Sequence, residues 1–286
     1  MGSAKQWKTF YAREREMLGP DGIARLLDEA EHLIPEIGAI VFPHTRFSIS
    51  GALAAAAALA VLRSDADDVL AVGVLHGARE RDAELVGRAR QGEPAALAAL
   101  RRVHGPGAPL EAGHADEEFS LDGFAALLEA AACRQGRPPP RLLARYPFLT
   151  GAEPETLPGV DELLRALERG AALVATADMI HHGAGYGTPA DRRLHRNSEA
   201  ATTFARTTVE ELLALLAARD FVGHERRCIE VRSDFRDAGP VFVELAAARG
   251  ASRPALLDLH LVNYADVLGA QDPTWVAAAL AGFGPG

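Results

Sequence analysis

Histidines follow three apolar segments of the chain, and this arrangement can build a metal site. His44 comes after AIVFP, His76 comes after VLAVGVL, and His181 lies shortly after the apolar run Ala171–Ala177. In open α/β sheets, ligands bind beyond the carboxyl ends of the strands, so we expect the three imidazoles at one edge of a sheet. Neutral imidazole is a common metal ligand, and a hydrogen bond at its second nitrogen orients the ring. His44 and His76 are therefore the first candidates for metal ligands.

The residues around His181 offer further candidates. Asp178 lies three residues earlier, and it either orients an imidazole, as carboxylates beside metal sites do, or caps the following turn. The run HGAGYG starts at His182, and its glycines favour a loop beside His181. Within that loop, His182 and Tyr186 could contact a substrate, although packing at the surface is the more common role of such a tyrosine.

The segments before the histidines predict the strands and helices that position them. Ala39–Phe42 is a short apolar run, and an alanine-rich helix follows it, with Ser48 or Ser50 as the cap. Val69–Leu75 and Ala171–Ala177 are almost continuously apolar, which is typical of strands covered on both faces. A strand, a helix and a second strand in succession predict a right-handed βαβ unit.

The remaining segments complete one predicted domain over residues 1–286. We expect an α/β fold with a central sheet, mostly parallel or mixed, covered by helices on both faces, and an N-terminal helical segment over 1–37. Residues 78–113 are largely polar and predict an excursion that could act as a lid over the site. Further elements are expected at 4–18, 22–33, 94–103, 122–133, 141–146, 160–169, 193–207, 208–219, 240–249 and 255–262, whereas 275–281 fits a strand or a helix.

Composition and charge exclude several classes of function. The net charge of −9 and the pI of about 5.6 argue against nucleic-acid binding, which needs clustered Lys and Arg. The longest apolar run, Ala52–Leu62, is too short to cross a membrane. Two cysteines without a CxxC spacing are typical of reduced thiols in a cytoplasm, so we expect a cytoplasmic protein. A homo-oligomer is compatible with the sequence, but no feature selects one.

Five short motifs occur in an order that resembles a known family. They are PHTRFSISG, VGVLHG, EEFSLD, ATADMIHHG and LVNYAD. They are similar to the patterns PHAGxxYSG, LGPxH, EHSxE, SSDxSHxG and LNYA of the Memo family, which shares its fold with the class III extradiol ring-cleaving dioxygenases. The resemblance covers roughly residues 38–282.

The resemblance implies roles for individual residues. His44 and His76 match the family's two metal-binding histidines, and His181 matches the histidine that lies over the metal as an acid or base in the ring-cleaving relatives. Glu118 matches the first position of EHSxE, which makes it a catalytic candidate beside His181 and Asp178. Tyr264 falls in the pattern that precedes the third ligand and could contact a substrate.

The sequence also departs from the family patterns. Phe119 stands in place of the histidine of EHSxE, and Asp122 stands in place of its last acid. An ungapped reading puts Ala270 where the family has its third metal ligand. Asp266 and Asp272 are both close enough in sequence to supply a carboxylate, and we favour Asp272. If neither binds, the site has only two protein ligands.

Two histidines and one carboxylate form the facial triad of non-heme Fe(II) oxygenases. We therefore expect an oxidoreductase, a dioxygenase or related oxygenase that binds Fe(II) and acts with dioxygen on a small aromatic or phenolic molecule. Zinc or copper would accept the same ligands. The alternatives are a non-catalytic Memo-like protein that binds metal or peptide, and a zinc hydrolase. The sequence has no GxSxG motif, so a serine hydrolase is not expected.

Overall fold

A mixed sheet of seven strands lies at the centre of the computed structural model, which describes residues 4–35, 38–76, 83–104 and 118–286. The strand order is β3-β2-β4-β1-β7-β5, and β6 pairs with the other edge of β7. β1 to β4 pair in parallel, whereas β7 is antiparallel to β1, β5 and β6. The strands are β1 (Ala39–Phe42), β2 (Asp68–Val72), β3 (Arg141–Arg145), β4 (Ala172–Thr176), β5 (Asp178–Gly183), β6 (Ala251–Asn263) and β7 (Thr274–Pro285).

Ten α-helices are present in the described part of the chain, and several short 3-10 turns join them. The helices are α1 (Ala4–Ala30), α2 (Phe47–Arg63), α3 (Ala83–Arg90), α4 (Pro94–His104), α5 (Asp122–Arg134), α6 (Val160–Glu168), α7 (Glu199–Ala217), α8 (Phe221–Val231), α9 (Phe235–Ala248) and α10 (Ala265–Leu268). None of the described helices is both long and apolar enough to cross a membrane.

Helices cover both faces of the sheet, because successive strand residues point to opposite sides. Ile40 and Phe42 face a core built with α1, α2 and α5, whereas Ala39 and Val41 face a second core built with α6 to α9. Small residues bring α2 close to the sheet, since residues 54–58 are all alanine and all buried. The predicted fold class, α/β with a mixed sheet covered on both faces, is therefore confirmed.

Short stretches of sequence predicted many of the strands and helices correctly, but some bounds and caps differ in the structure. β1 has the predicted bounds, and α1 is kinked at Gly19, where φ is 60°. Neither Ser48 nor Ser50 caps α2, which begins one residue earlier, at Phe47. The cap is the carboxylate of Glu14 in α1, which accepts the Phe47 N–H at 2.7 Å and the Ser48 hydroxyl at 2.5 Å. Sequence rules for capping look only at neighbouring residues and cannot find this distant group.

The structure differs from the prediction at two further segments and decides a third. The run that starts at His182 was predicted as a loop, but its first two residues complete β5 (Asp178–Gly183), because this segment pairs with the start of β7. The two helices expected over 193–219 are one helix, α7, and α8 was not predicted. The ambiguous segment 275–281 is part of the buried strand β7. Of the predicted excursion, α3 and α4 are described, while 78–82 and 105–113 lie outside the described residues.

Candidate metal centre

His44 and His76 meet at one edge of the sheet. Both β1 and β2 run parallel to β4, so the loops that leave their carboxyl ends emerge on the same side. His44 follows β1 after Pro43, and His76 lies four residues beyond the end of β2. Their Nε2 atoms are 3.2 Å apart. The structure therefore brings together the two imidazoles that the sequence selected as metal ligands.

The His44 ring is held by a threonine of the neighbouring strand. The Thr176 hydroxyl donates to the carbonyl oxygen of Phe42 at 3.0 Å, so its oxygen accepts the Nδ1–H of His44 at 3.1 Å. This partner fixes the tautomer, because the proton must lie on Nδ1. The Nε2 lone pair of His44 then points away from the strand towards His76.

The His76 ring is held by the carboxylate of Glu118. Glu118 Oε1 accepts the Nδ1–H of His76 at 3.1 Å, and Oε2 accepts the backbone N–H of the same residue at 2.8 Å. The backbone N–H groups of Phe119 and Ser120 also donate to Oε1, at 2.8 Å each. Burial opposes ionisation of Glu118, but the bonds and charge of His76 outweigh it and lower the pKa of Glu118. Glu118 therefore holds both the ring and the backbone of His76, and the catalytic role that the family resemblance implies for Glu118 stays a prediction.

The orientations of the His44 and His76 rings leave a gap between their Nε2 atoms, and a cation fits in this gap. Both Nδ1 atoms of His44 and His76 are donors to oxygen, so both Nε2 lone pairs face each other across 3.2 Å. Two lone pairs at this distance repel unless a proton or a metal ion lies between them. The ring of Phe119 stacks on His76 with centroids 4.1 Å apart and covers one side of this gap.

Asp234 completes a set of three ligand atoms. Its Oδ2 lies 3.2 Å from His44 Nε2, and the ligand atoms of His44, His76 and Asp234 all lie within 4.8 Å of one another. Ligands bound at about 2.1 Å from a single ion are about 3.0 to 3.4 Å apart in octahedral or tetrahedral geometry. The two 3.2 Å separations match this spacing, so the donor set fits one divalent transition metal.

The third ligand predicted from the sequence is corrected by this arrangement. Asp272 precedes β7 on the surface, with 58% of its side chain exposed, and its carboxylate lies 3.5 Å from His195 Nδ1. Asp266 is also exposed, in α10. Neither carboxylate joins His44 and His76 in a group of potential ligands. Both were selected because they follow the NYA motif. The segment after that motif contacts the cavity through Leu268, whereas its two aspartates are exposed.

No motif or spacing in the sequence indicated Asp234 as a potential metal ligand. It lies between α8 and α9, far along the chain from both histidines, and an aspartate before a helix is typical of an N-cap. Its side chain does not cap α9. Instead, Oδ1 accepts the backbone N–H of Asp178 at 2.8 Å, which turns Oδ2 towards His44.

His181 and Asp178 lie next to the three ligands. Their potential ligand atoms and that of Asp234 lie within 4.8 Å of one another. His181 donates its Nδ1–H to the carbonyl oxygen of Arg232 at 2.6 Å, and its Nε2 has no hydrogen-bond partner among the residues that the structure describes. The Asp178 side chain is only 4% exposed, and its Oδ1 has no hydrogen-bond partner among the residues that the structure describes. Asp178 is therefore part of the site rather than the cap of a turn.

The buried carboxylates give the site an excess of negative charge. Burial opposes protonation of His44, but Asp178 and Asp234 outweigh it and raise the pKa of His44 to about 9. Burial and the nearby charge of Asp234 raise the pKa of Asp178. Burial also acts against ionisation of Asp234, yet His44 lowers the pKa of that carboxyl. Without a metal the site retains a proton on His44, and a divalent cation could take the place of that proton.

A cavity of about 230 Å³ opens beside the three ligands. Five aromatic side chains line it, namely Trp7, Tyr11, Phe119, Tyr186 and Tyr264. Tyr186 contacts the edge of the His181 ring, with centroids 4.8 Å apart. The hydroxyl of Tyr264 is already bonded to Tyr11 at 2.7 Å and to the Thr45 hydroxyl, so Tyr264 offers mainly its ring. The cavity suits a small, flat, aromatic molecule.

His182 does not line this cavity, although it was a predicted substrate contact. Because residues 178–183 form a strand, His181 and His182 point to opposite faces of the sheet. His182 Nε2 accepts the Leu194 N–H at 2.9 Å, and its ring stacks on Trp275 with centroids 4.5 Å apart. Burial lowers the pKa of His182 to about 4, so it is a neutral structural residue.

Comparison with known proteins does not assign the chain to a family or to a function. No protein-family model matches the chain, and no curated protein matches its sequence. The resemblance to the Memo family therefore stays a prediction that depends on the five motifs.

Proposed function

We propose that this chain is a metal-dependent oxygenase that binds Fe(II) and oxidises a small aromatic or phenolic molecule with dioxygen. The observation that carries the proposal is the set of three ligand atoms from His44, His76 and Asp234, with both imidazoles oriented by hydrogen bonds at Nδ1. Two histidines and one carboxylate are the ligand set of non-heme Fe(II) oxygenases. The Memo-like motifs support the same proposal.

Iron, when bound, would supply the redox chemistry that dioxygen requires, and the residues of the chain would control geometry and protons. His44, His76 and Asp234 would hold the ion on one side and leave the cavity side open. His181 has a free Nε2 beside the cavity, so it would accept a proton from a phenol hydroxyl. Asp178, whose Oδ1 lacks a partner among the described residues, would hold a proton or balance the charge of His181.

The aromatic wall of the cavity supports the choice of substrate. Phe119 and Tyr186 lie near His76 and His181 respectively, so a flat ring between them would be held close to the metal. The same wall would exclude water from the site during the reaction. Phe119 replaces the histidine expected from the family pattern, so any proton transfer would depend on His181 rather than on position 119.

Metal content and oxygen consumption test the proposal. Protein reconstituted with Fe(II) without air should bind about one ion, and on exposure to air it should consume oxygen with members of a catechol and aminophenol panel. His44→Ala should lose both properties, whereas His195→Ala, which removes an exposed histidine beside Asp272, should retain both.

Other outcomes separate the alternatives. Protein without iron, zinc or copper above background would refute the metal site. Bound metal without oxygen consumption would favour a non-catalytic metal-binding protein. Turnover that persists without oxygen would instead favour hydrolysis at a zinc centre.

A further inference from the structure

We infer that Arg232 binds a carboxylate of the substrate, so that the preferred substrate is an aromatic acid rather than a neutral phenol. The inference rests on the proposed function for the site itself and extends it to the class of substrate. The evidence is the position of the guanidinium, its hydrogen bonds and the charge of the cavity.

Arg232 is the only Lys or Arg among the described residues that line the aromatic cavity. It lies at the end of α8 with φ 55° and ψ 40°, in the left-handed region that non-glycine residues rarely adopt. This conformation belongs to the same short loop that presents Asp234 to His44 and the Arg232 carbonyl to His181. The backbone of Arg232 therefore has a fixed relation to the metal ligands, and the Gly187 carbonyl holds one end of its guanidinium.

The guanidinium of Arg232 is mostly unused within the protein. One nitrogen, Nη2, donates to the Gly187 carbonyl at 3.2 Å. No carboxylate of the described residues lies within ion-pair distance of it, in contrast to Arg227, which contacts both Glu211 and Glu230. A guanidinium has five N–H donors in a fork that matches a carboxylate, so Arg232 can bind one in a bidentate manner.

Charge balance favours an acid at this position. Asp178 and Asp234 make the metal side of the cavity negative, and a bound divalent ion would offset those two charges. With those charges offset, the metal side offers no net positive charge to an anionic group of the substrate. Beside Arg232, the same group would meet a cation that has no acidic partner among the described residues. A ring with a hydroxyl beside the metal ligands and a carboxylate beside Arg232 would be bound through both groups.

Paired probes test this inference. The affinities of 3,4-dihydroxybenzoate and of 4-methylcatechol would be measured by calorimetry without air, on Fe(II)-loaded protein. The two probes differ in the carboxylate, so the ratio of their dissociation constants isolates its contribution. We expect the acid to bind roughly ten- to a hundredfold more tightly in the unmodified protein, as for hydrogen bonds to a charged group.

Variants at position 232 should change only this ratio. Arg232→Gln should bring the ratio close to one, and Arg232→Lys should retain part of it, because a lysine keeps the charge but loses the fork. Both variants keep a β-carbon, so the backbone cost at φ 55° is unchanged, and their melting temperatures check the fold. Arg192→Gln is the matched control, because it removes an exposed arginine that does not line the aromatic cavity, and it should leave the ratio unchanged.

Failure of this inference is distinguishable from failure of the proposed function. If metal binds but the two probes bind equally, or neither binds, the role of Arg232 is refuted and the metal site remains. If no metal binds, the same ratio is measured on metal-free protein, where a preference for the acid that is lost in Arg232→Gln would still support the carboxylate site. An unchanged ratio in Arg232→Gln refutes it in either state of the protein.

Discussion

The identity of the third ligand gives the sharpest test of the site. Asp234→Asn keeps the shape of the side chain, and its amide oxygen can still accept the Asp178 N–H that now donates to Oδ1 at 2.8 Å. It removes the anionic oxygen that lies 3.2 Å from His44 Nε2. Loss of a residue that only orients a metal ligand weakens binding by about 10- to 100-fold, so loss of a ligand should weaken it by more than about a hundredfold. This corresponds to at least about 2.7 kcal/mol.

Asp272→Asn is the control, because Asp272 was the ligand predicted from the sequence. Its carboxylate is exposed and contacts His195, and exposed ion pairs contribute only about 0 to 1 kcal/mol. We expect no change in metal affinity. Fe(II) affinity would be measured without air by competition with a coloured chelator, and thermal unfolding would confirm that both variants fold. Equal affinities of Asp234→Asn and the unmodified protein, or a large loss in Asp272→Asn, would refute the assignment of Asp234.

Three further predictions concern the groups around the metal and the core. Thr176→Val removes the acceptor of the His44 Nδ1–H, so Fe(II) should bind about 10- to 100-fold more weakly in the chelator competition. Thr202→Val, on an exposed part of α7, is the control and should leave the Fe(II) affinity unchanged. The pKa of His44 is raised to about 9, so a proton on this residue competes with the metal. The affinity for Zn²⁺ should therefore rise about tenfold per pH unit from pH 6 to 9 and then level off. A Zn²⁺ affinity that does not change with pH would contradict this prediction. Burial lowers the pKa of His224 to about 4 from an unfolded value of 6.5, so only the unfolded chain is protonated between these values. The contribution of His224 to stability should therefore fall by up to about 3 kcal/mol as the pH drops from 6.5 to 4, and urea unfolding of His224→Gln should show a smaller loss of stability than the unmodified protein.

The strand ends and their histidines could be predicted because short-range patterns determine them. A short, β-branched apolar run such as Val69–Val72 favours a strand with both faces covered, and the residue after a parallel strand lies at the ligand-binding edge. Asp234 could not be predicted, because its position depends on how α8 and α9 pack against β5. The residues next to Asp234 and the hydrophobic periodicity of the chain do not predict how α8 and α9 pack against β5.

Two other residues illustrate the same limit. Glu14 caps a helix that begins more than thirty residues later, so only the packing of α1 against α2 reveals its role. His182 was predicted as a substrate contact in a glycine-rich loop that starts at this residue. Because residues 178–183 instead pair with β7 as a strand, alternation turns the His181 imidazole to the aromatic cavity and the His182 imidazole to Trp275.

The attachment of α1 limits how molecules can reach the aromatic cavity. Three side chains tie this helix down, since Glu14 caps α2, Tyr11 bonds to Tyr264, and Lys8 donates to the Glu118 carbonyl at 2.9 Å. Trp7 and Tyr11 of the same helix form one wall of the aromatic cavity. Swinging α1 outwards would break all three attachments together, so that wall is a fixed boundary. We therefore expect small molecules to enter and leave the cavity without displacement of α1.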